Sequence, residues 1–177
     1  MLLSDEEKEA VAEFVTRGNV AQLSDGAFWS ELVSWIRFNP ADAMQKRDGL
    51  AGRTIGQPAV PGWLARTILP LVLTPEGQAA TDAANIRTSS GVAVFVSSEQ
   101  GREAWIEAGR AYERFALQAT ALGIRTALVN RPIEVPQILE SWLKLDGEYA
   151  QLMVRFGHGP SAPFSLRRPI DDVIVRE

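Results

Sequence analysis

The 177 residues include no cysteine and one histidine, His158. The lack of cysteine excludes disulfides, thiolate nucleophiles and Cys-based metal or iron–sulfur sites. His158 lies between two glycines with no acid paired to it, so it supports neither a catalytic triad nor a metal cluster and reads as a loop residue. No basic excess exists either: Lys and Arg number 18 against 22 Asp and Glu, for a net charge of −4. Nucleic-acid binding wants a basic face, so that class is disfavoured. No apolar run approaches the roughly 20 residues of a membrane span. Met1-Leu-Leu-Ser-Asp-Glu-Glu7 brings acids at once and no basic segment, unlike a signal peptide. A cytoplasmic protein is the simplest expectation. Internal repeats, low-complexity tracts and linkers are also missing, and the length suits a single domain over 1–177 by the usual range of about 100–200 residues.

What is present is an apolar fraction of 46% with 23% charged residues, enough for a real core under an ordinary polar surface. The strongest periodic signal runs from Arg102 to Leu122. Trp105, Ile106, Gly109, Tyr112, Phe115, Ala116, Ala119 and Leu122 recur three and four apart, the apolar face of a long helix. Arg102, Glu103, Glu107, Arg110, Glu113 and Arg114 cover the other side. The small residues on the apolar face predict a helix packed deeply against a neighbour. Gly123 is placed as a left-handed cap. An extended stretch, Ile124 to Val129, should follow.

Other elements are plainer. Ser4 to Glu7 forms a capping box opening a helix that should stop at Gly18. A second helix is expected from about Ala27 to Phe38, ended by Asn39-Pro40. From Pro40 to Ser90, glycine and proline recur too often for a long element, and Trp63 to Leu69 is at most a short helix. Arg47-Asp48-Gly49 reads as a turn. Gly91 to Ser97 predicts a buried central strand, and Ser97 with Gln100 a weaker helix cap. Pro136 should open a helix with Ile138, Leu139, Trp142 and Leu143 inward, and Asp146-Gly147 should turn out of it. Leu152, Val154 and Phe156 alternate with Met153 and Arg155 as a strand. The tail ends in Val173-Ile-Val175, a short piece suited to a sheet edge.

Two stretches could hold a ligand. Arg167 and Arg168 set two guanidinium groups side by side, with donors in forks that match phosphate oxygens. A solvated basic pair is the alternative. Pro132, Ile133, Glu134 and Val135 form a Pro-flanked segment whose main chain, if extended, offers N–H groups to a ligand. An ordinary Pro-initiated helix start is the alternative there. The tryptophans sit at helical spacing with other apolar residues and read as core before they read as a stacking platform.

Taken in order, Ala108-Gly-Arg-Ala, Ala119-Thr-Ala-Leu-Gly123, Pro132-Ile-Glu-Val-Pro136, Arg155-Phe-Gly-His-Gly-Pro160 and Leu166-Arg-Arg-Pro-Ile170 resemble the C-terminal part of the flavin-dependent nitroreductase family. The likeness is greatest to the divergent branch with two fused nitroreductase-like halves, and it spans about Asp25 to Val175. It implies an α+β fold: a mostly antiparallel sheet flanked by helices, with the long helix at a homodimer or pseudo-dimer interface. It also implies FMN held by Arg167 and Arg168 at the phosphate and by the main chain of Pro132 to Val135 beside the ring. Electrons would pass from NAD(P)H through the flavin to a nitro- or quinone-like acceptor, the protein supplying position and electrostatics. The family's N-terminal Arg-Arg-Ser-x-Arg-like phosphate segment and its Asn-x-Gln-Pro-Trp-like stretch have no counterpart here. Either the chain is the C-terminal half of a longer protein, or a partner supplies those groups, or the fold persists without the cofactor as a binding or interaction module.

Overall fold

A computed structural model describes residues 1–55, 61, 64, 73–135, 137–138 and 147–174. The chain gathers into two compact units, Met1–Ser24 with Pro75–Pro160, and Asp25–Thr74 with Ser161–Glu177. Helices and an antiparallel sheet make it an α+β fold. Among the described residues no helix is long and apolar enough to cross a membrane.

The first unit opens with α1 (Asp5–Leu23). The Ser4 hydroxyl accepts from the Glu7 amide at 3.2 Å while the Glu7 carboxylate accepts from the Ser4 amide at 2.9 Å, closing the expected capping box. The helix does not stop at Gly18. An interior glycine costs about 1 kcal/mol relative to alanine, too little to end a well-packed helix. Next come α4 (Pro75–Arg87), β3 (Gly91–Ser97), α5 (Arg102–Ala121), β4 (Arg125–Leu128), α6 (Arg131–Glu134) and β5 (Tyr149–Gly157), the labels α2, α3, β1 and β2 belonging to the second unit below. Helix α4 falls inside the segment expected to be irregular. Pro75 begins it instead of breaking it, because proline at the first turn has no amide to leave unpaired. Its buried Ala79, Ala83 and Ile86 are the spacing that could have revealed it.

The sheet runs β3-β5-β4, antiparallel throughout. The central strand is therefore β5, and β3 lies on the flank, where Leu2 forms an antiparallel bridge with Val92. Alternation sends the two faces to different partners. Val92, Val94 and Met153 join Val11, Ala12 and Val15 of α1 and Ala83 and Ile86 of α4 in one core. On the opposite face Phe95 meets Tyr112 and Phe115 edge-on at 6.0 and 5.8 Å, and Phe115 meets Phe156 at 5.7 Å.

Helix α5 departs from the deep packing expected of it. Of its residues only Ala119 is buried. Tyr112 and Phe115 cover the sheet, while Trp105 is 57% and Ile106 61% exposed. Its start also differs: the N-cap is Gly101 at φ 123° with no side-chain bond, and the Ser97 hydroxyl donates to the Glu99 carbonyl instead. Its end follows expectation. Gly123 takes φ 73°, its amide bonds the Thr120 carbonyl at 3.0 Å, and the Ile124 amide bonds the Ala119 carbonyl at 2.8 Å, a Schellman cap.

In the second unit α2 (Gly26–Trp35) leads into β1 (Ile36–Arg37), then α3 (Pro40–Lys46) and β2 (Leu50–Ala51), which pairs parallel with β1. The second helix ends before the Asn39-Pro40 expected to terminate it. That pair starts α3: the Asn39 side chain accepts from the Asp42 amide at 2.8 Å, and Pro40 takes the first turn. The tail adds no strand among the described residues; Ile170–Asp172 is a single 3-10 turn, with Val173 and Ile174 exposed. Most of Trp63 to Leu69, expected to be at most a short helix, and the continuation of the Pro136 helix through Leu139, Trp142 and Leu143 lie outside the described residues.

Candidate functional site: an arginine-lined cleft

The second unit is organised by one buried cation. Arg37 is 7% exposed. Its Nε and Nη2 donate to the Asp48 carboxylate at 2.9 and 2.8 Å, and Nη1 donates to the Ser34 carbonyl at 2.7 Å. Its guanidinium also lies 6.0 Å from the Trp35 ring centroid. These contacts tie the C-terminal end of α2 to the turn after α3. That turn is tight: Arg47 is left-handed at φ 52° and Gly49 follows at φ 67°. A Cβ on Gly49 would come within 2.2 Å of the Trp35 carbonyl oxygen, so only glycine fits.

Beside this turn lies an open cleft of about 560 Å³, with Trp35, Arg47, Asp48, Arg167, Arg168 and Val173 on its walls. Three arginines therefore line one concavity. The Asp48 carboxylate is engaged by Arg37. No ion pair to Arg167 or Arg168 forms among the described residues. Unpaired cations on an exposed wall suit an anion with several oxygens, which guanidinium forks bind in pairs. A second, more enclosed cavity of about 310 Å³ adjoins it, sharing Leu166 and lined by Phe38, Asn39, Ala43, Met44 and Arg53.

Of the residues singled out in the sequence, Arg167 and Arg168 fall in this cleft. Pro132, Ile133, Glu134 and Val135 belong to the other unit. They are not extended. Arg131 to Glu134 form the turn of helix α6, and the amides of Ile133 and Glu134 both donate to the Asn130 carbonyl, at 2.8 and 3.1 Å. Pro132 is buried against α1, where a Cβ on Gly18 would stand 2.8 Å from its nitrogen. Ile133 packs against the core, and the Glu134 carboxylate accepts from the Gln22 side chain at 2.8 Å. The Pro-initiated helix start is thus the conformation adopted. Val135 alone has extended backbone.

Next to it, the Arg131 guanidinium donates to the Asn19 side chain, which donates in turn to Asp82 at 3.0 Å. Burial depresses the Arg131 pKa, against the opposing pull of Asp82 and Glu134. Asn19 is fully buried and satisfied, so this chain of polar groups secures α6 to α1 and α4.

Arg37, Arg47 and Arg53 were not singled out in the sequence. Arg47 stood inside a recognised turn, but which arginines share a wall depends on where the tail runs. No protein-family model, no curated protein and no solved structure matches the chain.

Proposed function

We propose that the chain binds FMN by its phosphate in the cleft of Arg47, Arg167 and Arg168, and serves as an FMN-dependent oxidoreductase of nitroreductase type. The observation that carries this is that three arginines line one cleft, with the neighbouring carboxylate of Asp48 already engaged. Their donors suit a phosphate dianion, and Trp35 on the same wall offers an apolar surface. Bound flavin supplies the two-electron chemistry between NAD(P)H and a nitro- or quinone-like acceptor. The chain's own part is to bind the phosphate and shape the access to it. The ring-side contacts belong to groups other than the amides of Ile133 and Glu134, which are spent within helix α6. The resemblance also favours a nitroreductase-like homodimer or pseudo-dimer, for which the exposed face of α5 is available.

Colour decides the first step. Protein that stays colourless after incubation with FMN, with no absorbance near about 450 nm, removes the proposal. If FMN binds, Arg167→Ala with Arg168→Ala should weaken it, each lost charge-assisted contact being worth roughly 1.5–3 kcal/mol. Unchanged affinity would place the phosphate elsewhere. A second reading, a cofactor-free interaction module, is favoured by the packing of Pro132 to Glu134 as structural turn; colourless protein that still binds a partner through α5 would support it.

A further inference from the structure

The smaller cavity in the second unit differs in chemistry from the arginine-lined cleft. We propose that it is a separate binding site for a small apolar monoanion, of the aromatic carboxylate class, with Arg53 and Asn39 as the carboxylate's partners. At about 310 Å³ it stands at the low end of the usual small-molecule range of about 300–1,000 Å³, with room for a single-ring carboxylate. Phe38, Ala43, Met44 and Leu166 supply apolar wall.

The polar groups define the charge. Arg37 lines the cavity, but Asp48 already neutralises it. Arg53 is exposed and has no ion-pair partner among the described residues, leaving one uncompensated cation. Asn39 accepts from the Asp42 amide through Oδ1, which fixes the orientation of its side-chain amide. Its NH₂ group is therefore left to donate, and it has no partner among the described residues. Among the described residues that line it, one unmatched cation, one neutral donor and no acid suit a monoanion with two acceptor oxygens. A phosphate dianion would find more in the three arginines of the cleft. The inference does not rest on flavin binding.

The test is calorimetric titration of the intact chain with benzoate and with benzamide, its neutral counterpart of similar shape. Benzoate should bind at least tenfold more tightly than benzamide. Arg53→Gln, and Met44→Glu at a position 65% exposed, should each remove that preference while leaving benzamide unchanged. Arg167→Ala with Arg168→Ala should leave benzoate binding within twofold. Amide shifts on adding benzoate, read by NMR without any variant, should cluster between Asn39 and Arg53. No benzoate binding at millimolar concentration, shifts elsewhere, or full preference retained in both Arg53→Gln and Met44→Glu would overturn the proposal. Because heat and shifts are read without flavin, the outcome is independent of whether FMN binds.

Discussion

Gly18 and Gly109 both lie inside helices, and they should respond to alanine with opposite signs. A Cβ at Gly18 meets backbone on α6, 2.8 Å from the Pro132 nitrogen and 3.0 Å from the Arg131 carbonyl carbon. Backbone cannot swing away as a side-chain end can, so Gly18→Ala forces α1 and α6 apart. We expect a loss of about 1–3 kcal/mol, the usual cost of overpacking. At Gly109 nothing lies within 4 Å of the added carbon. Gly109→Ala should therefore gain about 0.5–1 kcal/mol from helix propensity alone. Urea denaturation in dilute solution measures both, and a stabilised Gly18→Ala would refute the close approach. The same glycine type thus serves as spacer in one helix and as a mere weak point in another. Residue order alone does not separate the two, because the backbone that Gly18 touches is distant from it in the chain.

At the scale of elements, α1 is held by carboxylates at its N-terminal end and by its contact with α4. Glu7 is kept below its ordinary range by the amides of Ser4 and Leu3 and by the Ser4 hydroxyl. Asp5 is lowered by its hydrogen bond to Lys8, and Glu9 by its hydrogen bonds to Arg87, both 2.6 Å long. All three shifts are downward, so their stabilisation is complete above the unfolded carboxylate pKa and disappears as pH falls through the lower folded one. These groups are exposed, and salt screens them. The urea midpoint should fall as pH drops from about 6 to about 3, and Glu9→Gln should flatten part of that slope. A slope identical to the parent's would show that the Glu9–Arg87 pair contributes nothing to folding. The capping box was legible in four residues because it is local. The pairing of Glu9 with Arg87 was not, since it depends on α4 lying along α1.

At the scale of the whole molecule the conspicuous surface is the outer face of α5. Tyr112, Phe115 and Ala119 are used on the sheet. Trp105, Ile106 and Leu117 remain 57–66% exposed. If a second copy covers this face, Ile106→Glu with Leu117→Glu should convert a dimer to a monomer in sedimentation equilibrium without unfolding it. A parent chain that is already monomeric at high concentration would dispose of that arrangement. Local chemistry by itself determined the capping box of α1, the extent and Schellman cap of α5, the turn at Arg47 to Gly49 and the strands from Gly91 and through Leu152 to Phe156, because hydrogen bonds and periodicity within a few residues decide such features. Pro75 and Asn39-Pro40 begin helices by equally local means, whereas the tertiary structure alone decided that the turn of Pro132 to Glu134 lies under Gly18 and that Arg47 shares a cleft with Arg167 and Arg168. These last two depend on which distant backbone lies close enough to pair or collide, a distance that residue order does not contain.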